Sequence, residues 1–196
     1  MLNSAYSEAQ NIYNFTQFYF NPSLLNPSYT GSDGRPALYL SYKKQWAGIT
    51  GSPSIANINV QAPLPSHVNV GLNINNDTNG LLNTSSVLLT AGYTLPVAKD
   101  QFLRFGLSAG VSSSRVDVSS LNFGTAGDPL LTELVKSNIR LLSNFGLSFH
   151  SQTFHIGVSI PNVFQSDYVS SEAFTISKLK PFESLIFQAS NRFYLS

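Results

Sequence analysis

The sequence contains no cysteine, little charge and no long apolar run. The lack of cysteine excludes disulfide scaffolds, thiolate zinc sites and cysteine nucleophiles. Charged residues make up 11% of the 196 residues, whereas a soluble domain carries about 25%. The net charge of +1 argues against a nucleic-acid partner, because phosphate binding requires a basic excess. Since no stretch of about 18 apolar residues occurs, a membrane-spanning helix is also excluded.

The composition of the chain is compatible with a membrane β-barrel. Barrel strands are about 10 residues long and only alternately apolar, so they leave the mean hydropathy of a chain near zero. The observed mean hydropathy is +0.02. The composition also argues against disorder, because the chain is 42% hydrophobic and 12% aromatic. We therefore predict an all-β, antiparallel transmembrane barrel of the outer-membrane type.

Period-2 alternation from residue 37 onward locates the strands. In residues 67–75 the side chains of Val68, Val70, Leu72 and Ile74 fall on one face, and only polar residues and glycine fall on the other. Such alternation indicates a strand with one apolar face. Eight runs of this kind predict eight strands, at 38–46, 54–62, 67–75, 85–95, 101–111, 141–150, 153–160 and 185–195.

The connections between these runs alternate in length. Short connections are predicted at 63–66, 96–100 and 151–152, and longer ones at 47–53, 76–84, 112–140 and 161–184. Outer-membrane barrels place short turns at the periplasmic rim and long loops outside, so we expect the long connections to face outward. In the third long connection, Asp128 as N-cap and Pro129 at the first helical position predict a short helix.

The two faces of the predicted strands differ in chemistry. Val68, Val70, Leu72, Ile74, Phe154, Ile156 and Val158 are predicted to face lipid. Tyr93, Phe105, Phe149 and Phe154 share the apolar face near the short turns and are predicted to form an aromatic girdle. Lys44 falls on the lipid side of the first strand and requires a bulge or a position at the rim. The other face is predicted to line the lumen, through Asn57, Asn59, Gln61, Asn69, Asn73, Asn144, Ser148, Gln188, Ser190 and Arg192.

Three patterns resemble catalytic or metal sites, and each has a simpler interpretation. Residues 106–110 match G-x-S-x-G, but a nucleophile elbow requires a strand-to-helix turn, and this match lies inside a strand. Residues 75–80 resemble half of a calcium loop but lack its closing glutamate, so a hairpin turn is favoured. His67, His150 and His155 flank short turns and could converge at one rim. We expect no enzymatic activity, no cofactor and no metal.

The N-terminal part of the chain precedes the strands. Small residues at Ser7 and Ala9 suggest that residues 1–9 are the remnant of a signal peptide. Residues 10–35 contain two Asn-Pro pairs, which force extended or turn backbone, and their apolar side chains need cover. A plug in the lumen is favoured slightly over a partner-binding strand. Residues 36–196 form the predicted barrel, and the chain is expected to be truncated, because the eighth strand runs almost to Ser196.

Four segments resemble the PorP/SprF family of type IX secretion system outer-membrane proteins. Residues 15–32, FTQFYFNPSLLNPSYTGS, resemble the family's phenylalanine-rich opening with two asparagine-proline pairs. Residues 41–48, SYKKQWAG, are similar to its tyrosine, basic, glutamine and tryptophan signature. Residues 71–80, GLNINNDTNG, and 157–164, GVSIPNVF, are similar to its later hairpin and strand.

The resemblance implies an outer-membrane barrel of Bacteroidota that serves secretion and gliding motility. It implies as partners outer-membrane lipid, a secreted adhesin or its C-terminal domain, and other type IX secretion components, including periplasmic ones. An alternative is a transport channel of the fatty-acid transporter type with an N-terminal hatch, which would need an apolar pocket behind the hatch. Partner-binding residues are predicted at Asn21, Pro22, Asn26, Pro27, Gln45, Trp46, Phe164 and Phe174.

Overall fold

The computed structural model describes residues 19–46, 48–49, 51–116, 138–163 and 184–191. These residues form two short 3₁₀ turns followed by eight β-strands in one antiparallel sheet, whose spatial order is the order of the chain. The sheet curls into a half-barrel. The 3₁₀ turns are Pro22–Leu24 and Pro27–Tyr29, and the strands are β1 (Ala37–Lys44), β2 (Ser54–Pro63), β3 (Val68–Asn79), β4 (Leu82–Ala98), β5 (Gln101–Val116), β6 (Asn138–His150), β7 (Phe154–Ile160) and β8 (Ile186–Asn191).

All eight predicted strands are present, and consecutive strands pair as expected from the period-2 pattern. The predicted long connection at 76–84 is wrong. β3 continues to Asn79 and β4 begins at Leu82, so only Gly80 and Leu81 join them, with Gly80 at a φ of +60°. The Asn, Asp, Thr and Ser residues of this stretch are polar on both faces, which conceals the alternation while the ladder continues from Asn75 to Asn79.

The two faces of the sheet have opposite chemistry, as the sequence predicts. Apolar side chains on the convex outer face are exposed, with Leu89 at 65% and Ile156 at 50%. Apart from Pro27, Tyr29 is the one buried hydrophobic side chain among the described residues, whereas the buried polar residues include Asn57, Gln61 and Ser148. This inversion of the usual core is expected where lipid covers the outside of a barrel and polar groups line its inside.

The connections lie at two rims of the sheet. Residues 64–67, 99–100 and 151–153 form the short-turn rim, where Ser66, His67 and Asp100 adopt positive φ. The remaining connections start from the opposite rim. The aromatic residues predicted as a girdle lie on the outer face beside the short turns: Tyr93 pairs with Phe105, and the rings of Phe149 and Phe154 are 5.7 Å apart.

Lys44 is the last residue of β1, and it pairs with Ser54 at the start of β2. Its position at the opposite rim lets the ammonium group leave the apolar layer, and the ladder from Ala37 to Lys44 is regular, so the rim rather than a bulge accommodates it. The predicted helix at 128–135 lies outside the described residues. Among the described residues, no helix combines the length and the hydropathy that a membrane-spanning helix requires.

Candidate functional site: the inner segment and its wall

Residues 21–31, which we call the inner segment, lie against the inner face of the half-barrel. The sequence Asn-Pro-Ser occurs twice in it, five residues apart, and each copy starts one of the two 3₁₀ turns. Proline fits the first helical position because its fixed φ is already helical and its missing N–H needs no partner there. Asn26 also caps the second turn, since its Oδ1 accepts a hydrogen bond from Ser28 N–H at 3.0 Å.

The inner segment is bonded to both sides of the curled sheet. On one side, Gly31 N–H donates to Oε1 of Gln61 on β2 at 2.7 Å, and Gln61 Nε2 donates to Asn21 Oδ1 at 3.3 Å. On the other side, Ser159 Oγ on β7 donates to the carbonyl oxygen of Leu25 at 2.7 Å. Asn26 Nδ2 donates to the carbonyl oxygen of Val158 at 3.3 Å. The segment therefore bridges β2 and β7 across the concave face.

Three glycines form the floor beneath the second 3₁₀ turn. Gly106 on β5 pairs with Gly146 on β6, and Gly157 lies on β7. A Cβ atom at Gly106 would overlap the backbone of Pro27, and one at Gly146 would overlap the side-chain oxygen of Asn26. The inner segment can approach the backbone of the strands this closely only because glycine has no side chain. The glycine floor thus fixes how deeply the inner segment sits.

A chain of polar groups continues from the inner segment into the wall. Ser28 Oγ and Ser148 Oγ are 2.7 Å apart, and Ser148 Oγ is 2.9 Å from Nε2 of His150. Nδ1 of His150 lies 2.8 Å from Nδ1 of His155 on β7. The ring of Tyr29 packs against that of His150 with centroids 4.7 Å apart. Burial raises the pKa of the Tyr29 hydroxyl, and the positive charge of Arg104 acts in the opposite direction.

A separate groove of about 350 Å³ opens beside the edge strand β1. Its apolar lining comes from Phe20, from Leu24 of the inner segment and from β1, and its polar lining comes from the inner segment, β1 and β2. The lining residues are Phe20, Asn21, Leu24, Leu38, Tyr39, Leu40, Ser41 and Asn57. This groove lies at the margin of the sheet, away from the glycine floor under the second turn.

Comparison with protein families gives a match over residues 7–196 to the model described as type IX secretion system membrane protein PorP/SprF. The chain belongs to the PorP/SprF family. No curated protein and no solved structure matches it. The PorP/SprF chain is thus a type IX secretion membrane protein, and the resemblance of its Asn-Pro and SYKKQWAG segments is confirmed at the level of the family.

The structure places the predicted partner-binding residues of this PorP/SprF chain in three different settings. Asn21, Asn26 and Pro27 are buried in the inner segment, and Pro22 is half-buried there. Trp46 is 67% exposed in the connection after β1, where Gln45 N–H donates to the carbonyl oxygen of Pro53. Phe164 and Phe174 lie outside the described residues. A partner-binding role stays a prediction for all eight.

Two of the three histidines in the PorP/SprF chain come together. His150 and His155 flank the turn between β6 and β7, whereas His67 lies in the turn between β2 and β3. Strands β4 and β5 separate β3 from β6, and each strand adds about 4.8 Å, so His67 does not join the pair. The described residues contain no group of three or more potential metal ligands from His, Cys, Asp and Glu.

The glycine floor is the part of the site that the sequence analysis did not find. In the sequence, Gly106 and Gly110 stand out only as part of the G-x-S-x-G pattern, which lies inside β5 as expected. A signal for the floor existed, since Gly106, Gly146 and Gly157 all have the parity of lumen-facing residues in their strands. What the sequence did not provide was the register that places Gly106 opposite Gly146 and the inner segment above both.

Proposed function

We propose that this PorP/SprF protein is an outer-membrane β-barrel component, closed on its inner side by residues 10–35, that supports export or surface attachment of a secreted adhesin. The observation that carries the proposal is the fit between the inner segment and its wall. Hydrogen bonds reach β2 and β7, and the glycine floor lies directly beneath Pro27. A barrel filled in this way serves as a rigid scaffold in a membrane rather than as an open pore.

The chemistry of the inner face favours this role over that of a hydrophobic transport channel. A pocket for an apolar substrate needs mainly apolar lining behind the hatch, whereas the wall beneath the inner segment presents Ser148, Ser159 and the glycine floor. The groove with apolar lining lies instead at the β1 edge. A channel would therefore require the inner segment to leave its site before any substrate could pass.

The orientation proposed for the barrel follows from its rims. Outer-membrane barrels keep short turns in the periplasm and long loops outside. The long connections after β1, β5 and β7 all leave from the opposite rim, where only the connection at 80–81 is short, so the short-turn rim with residues 64–67, 99–100 and 151–153 is assigned to the periplasm. The opposite rim then faces the outside. There, the connection after β1 presents Trp46 and Ile49, which are 67% and 60% exposed. Exposed aromatic and aliphatic side chains on a loop held by a rigid scaffold are suited to anchor a protein partner.

Deletion of the gene tests the function directly. We expect the client adhesin to accumulate in the periplasm or to be released into the medium, while other outer-membrane proteins still reach the surface. Surface immunolabelling of the adhesin and fractionation of the culture provide the measurement. Normal adhesin display together with loss of uptake of a hydrophobic solute would instead support the channel.

Point variants test which part of the barrel contacts the adhesin. Trp46→Ser with Ile49→Ser removes the exposed apolar side chains at the opposite rim, and we expect reduced surface labelling of the adhesin. Leu64→Ser is the matched control, because Leu64 is also exposed but lies at the short-turn rim. Phe164→Ser with Phe174→Ser tests the other predicted anchors. Heat-modifiable gel mobility must show that each variant folds, and normal display by all of them would contradict loop docking.

A further inference from the structure

The strand registers place residues of different strands in rows across the outer face, and two rows toward the opposite rim differ in chemistry. The first row is apolar in every strand that it crosses, and it consists of Leu40, Ile58, Ile74, Val87, Val111 and Leu141. The second row lies four residues further toward the rim in each strand, and we call it the rim row. It is polar throughout and consists of Lys44, Ser54, Thr78, Asn83 and Arg115.

The length of the apolar stretch on β4 places this change at the surface of a bilayer. Outward residues of β4 are apolar or aromatic from Val87 to Val97, which is about 34 Å along a strand. A strand tilt of about 45° reduces this length to a height of about 24 Å, and the apolar band of outer-membrane barrels is about 25 Å tall. The rim row lies about 10 Å above Val87 by the same conversion, so its long side chains reach the lipid headgroups.

Aromatic residues at the end of β1 support the same position of the bilayer surface. Tyr42 lies on the outer face of β1 between the apolar row and Lys44, and it is 67% exposed. Trp46 follows Lys44 by two residues and is also exposed. Tyrosine and tryptophan are enriched where the hydrocarbon layer meets the headgroups. This observation is independent of the length of β4.

The rim row carries positive charge that no described carboxylate balances. Lys44 and Arg115 are both exposed. The carboxylates of the described residues are those of Asp33, Asp77 and Asp100. Asp33 precedes β1, Asp77 has the parity of the inner face, and Asp100 lies in a turn of the short-turn rim. In the described part of the chain, the outer face at this rim therefore attracts anions.

We propose that the rim row binds the phosphate groups of anionic membrane lipids. Lys44 and Arg115 are separated by four strand spacings, or about 19 Å along the sheet, so each cation binds a different headgroup. Between them, Ser54 and Asn83 offer further hydrogen-bond donors. The proposal rests on the membrane position of the barrel, as the proposed function does, but not on the adhesin. Its failure would leave the adhesin experiments unaffected.

Fluorescence of Trp46 measures lipid binding at the β1 end of the rim row, because the chain contains one tryptophan. The full chain is refolded in phosphatidylcholine vesicles that contain the same fraction of either brominated phosphatidylglycerol or brominated phosphatidylcholine. Bromine quenches tryptophan on contact, so the ratio of quenching gives the enrichment of the anionic lipid. We expect an enrichment of about fivefold, the factor that one cation near an anionic surface provides. Added salt should reduce it, because salt screens exposed charges.

Charge-removing variants test the residues of the rim row. Lys44→Gln should abolish the enrichment around Trp46. Lys43→Gln is the matched control, because it removes the same charge from the neighbouring residue, which has the parity of the inner face, and it should keep the enrichment. Arg115 is too far from Trp46 for quenching, so native mass spectrometry of the protein released from mixed-lipid nanodiscs counts the retained phosphatidylglycerol. Arg115→Gln should retain less of this lipid, whereas Arg115→Lys keeps the charge and should retain as much as the unmodified protein.

Three results would overturn the proposal. The first is equal quenching of the unmodified protein by the two brominated lipids. The second is an equal effect of Lys43→Gln and Lys44→Gln, which would show that the outer face has no special role. The third is unchanged retention of phosphatidylglycerol by Arg115→Gln. Absence of quenching by either lipid would contradict the membrane position of this rim, and with it the proposed function.

Discussion

The outer and inner faces of the sheet are built from the same strands, yet they impose different demands on their side chains. On β5, Leu107 points outward and is 50% exposed, whereas the preceding residue, Gly106, lies beneath Pro27. Lipid chains are fluid, so an outward side chain needs only to be apolar. The inner segment has a fixed shape and fixed hydrogen bonds, so an inward residue must have one size and one donor or acceptor pattern.

This comparison indicates that inward-facing residues tolerate fewer substitutions than outward-facing ones. Exchange of one apolar residue for another on the outer face should be tolerated, but a charged side chain there should lower the free energy of unfolding. On the inner face even one methyl group should disturb the structure, because it meets backbone rather than lipid. The predictions below test this contrast, beginning with the largest expected change.

Leu89→Arg should have the largest effect on stability. Leu89 lies on the outer face in the middle of β4, four residues beyond Tyr93 of the girdle, and it is 65% exposed. An arginine facing lipid near the bilayer midplane costs about 2–4 kcal/mol. Chemical unfolding in lipid vesicles, followed by Trp46 fluorescence, measures the free energy of unfolding.

Two further variants serve as controls for Leu89→Arg. Leu89→Val keeps an apolar side chain and should change the free energy of unfolding little. Ile156→Arg introduces the same charge next to the girdle residue Phe154, where the cost should be smaller because it falls toward the interface. Equal stability of Leu89→Arg and the unmodified protein would show that this face does not contact lipid.

Gly106→Ala should lift the inner segment from its floor. The added methyl group would overlap the backbone of Pro27, and such overpacking costs about 1–3 kcal/mol. We expect faster hydrogen exchange in residues 21–31 while the strands keep their protection. Ser108→Ala is the control, since Ser108 is the next inward residue on β5 and already carries a Cβ atom. Unchanged exchange in Gly106→Ala would contradict the close contact.

The two Asn-Pro-Ser turns should differ in their sensitivity to substitution. Asn26→Ala leaves Ser28 N–H without its buried acceptor and removes the bond to Val158, so a cost of about 1–3 kcal/mol is expected. Asn21→Ala removes only contacts with the side chains of Ser23 and Gln61 and should cost about 1 kcal/mol. Hydrogen exchange of residues 21–31, followed as the temperature rises, ranks the two variants, and Asn26→Ala should release the inner segment at the lower temperature. The reverse order would contradict the hydrogen bonds assigned to Asn21 and Asn26.

Single cysteines at the two rims should leave stability unchanged but report the orientation. The chain contains no cysteine, so each introduced thiol gives an unambiguous signal. Asn79→Cys, at the opposite rim, should react with a membrane-impermeant maleimide on intact cells. Gln152→Cys, at the short-turn rim, should react only after the outer membrane has been opened. The inverse labelling pattern would reverse the proposed orientation.

Period-2 alternation was sufficient to predict all eight strands and the two chemically distinct faces. It failed at residues 76–84, because an all-polar stretch has no alternation to read, although the backbone ladder there is regular. The sequence left open whether the three histidines converge at one rim, and in the structure His150 and His155 do so. Which turns of a sheet are neighbours depends on the strand order, and His67 is separated from the pair by two strands.

The sequence by itself determined the strands, the parity of the apolar outward-facing and the inward-facing residues, and the turn-forming character of the two Asn-Pro-Ser repeats. These properties depend on local spacing and on the fixed backbone preferences of proline. The tertiary structure alone decided that Gly106, Gly146 and Gly157 form one floor, that the second repeat rests on it, and that Ser28 of this repeat meets Ser148 on β6. The contact between Ser28 and Ser148, for example, joins residues 120 positions apart. Such contacts depend on the register and curl of the sheet, which local pattern does not specify.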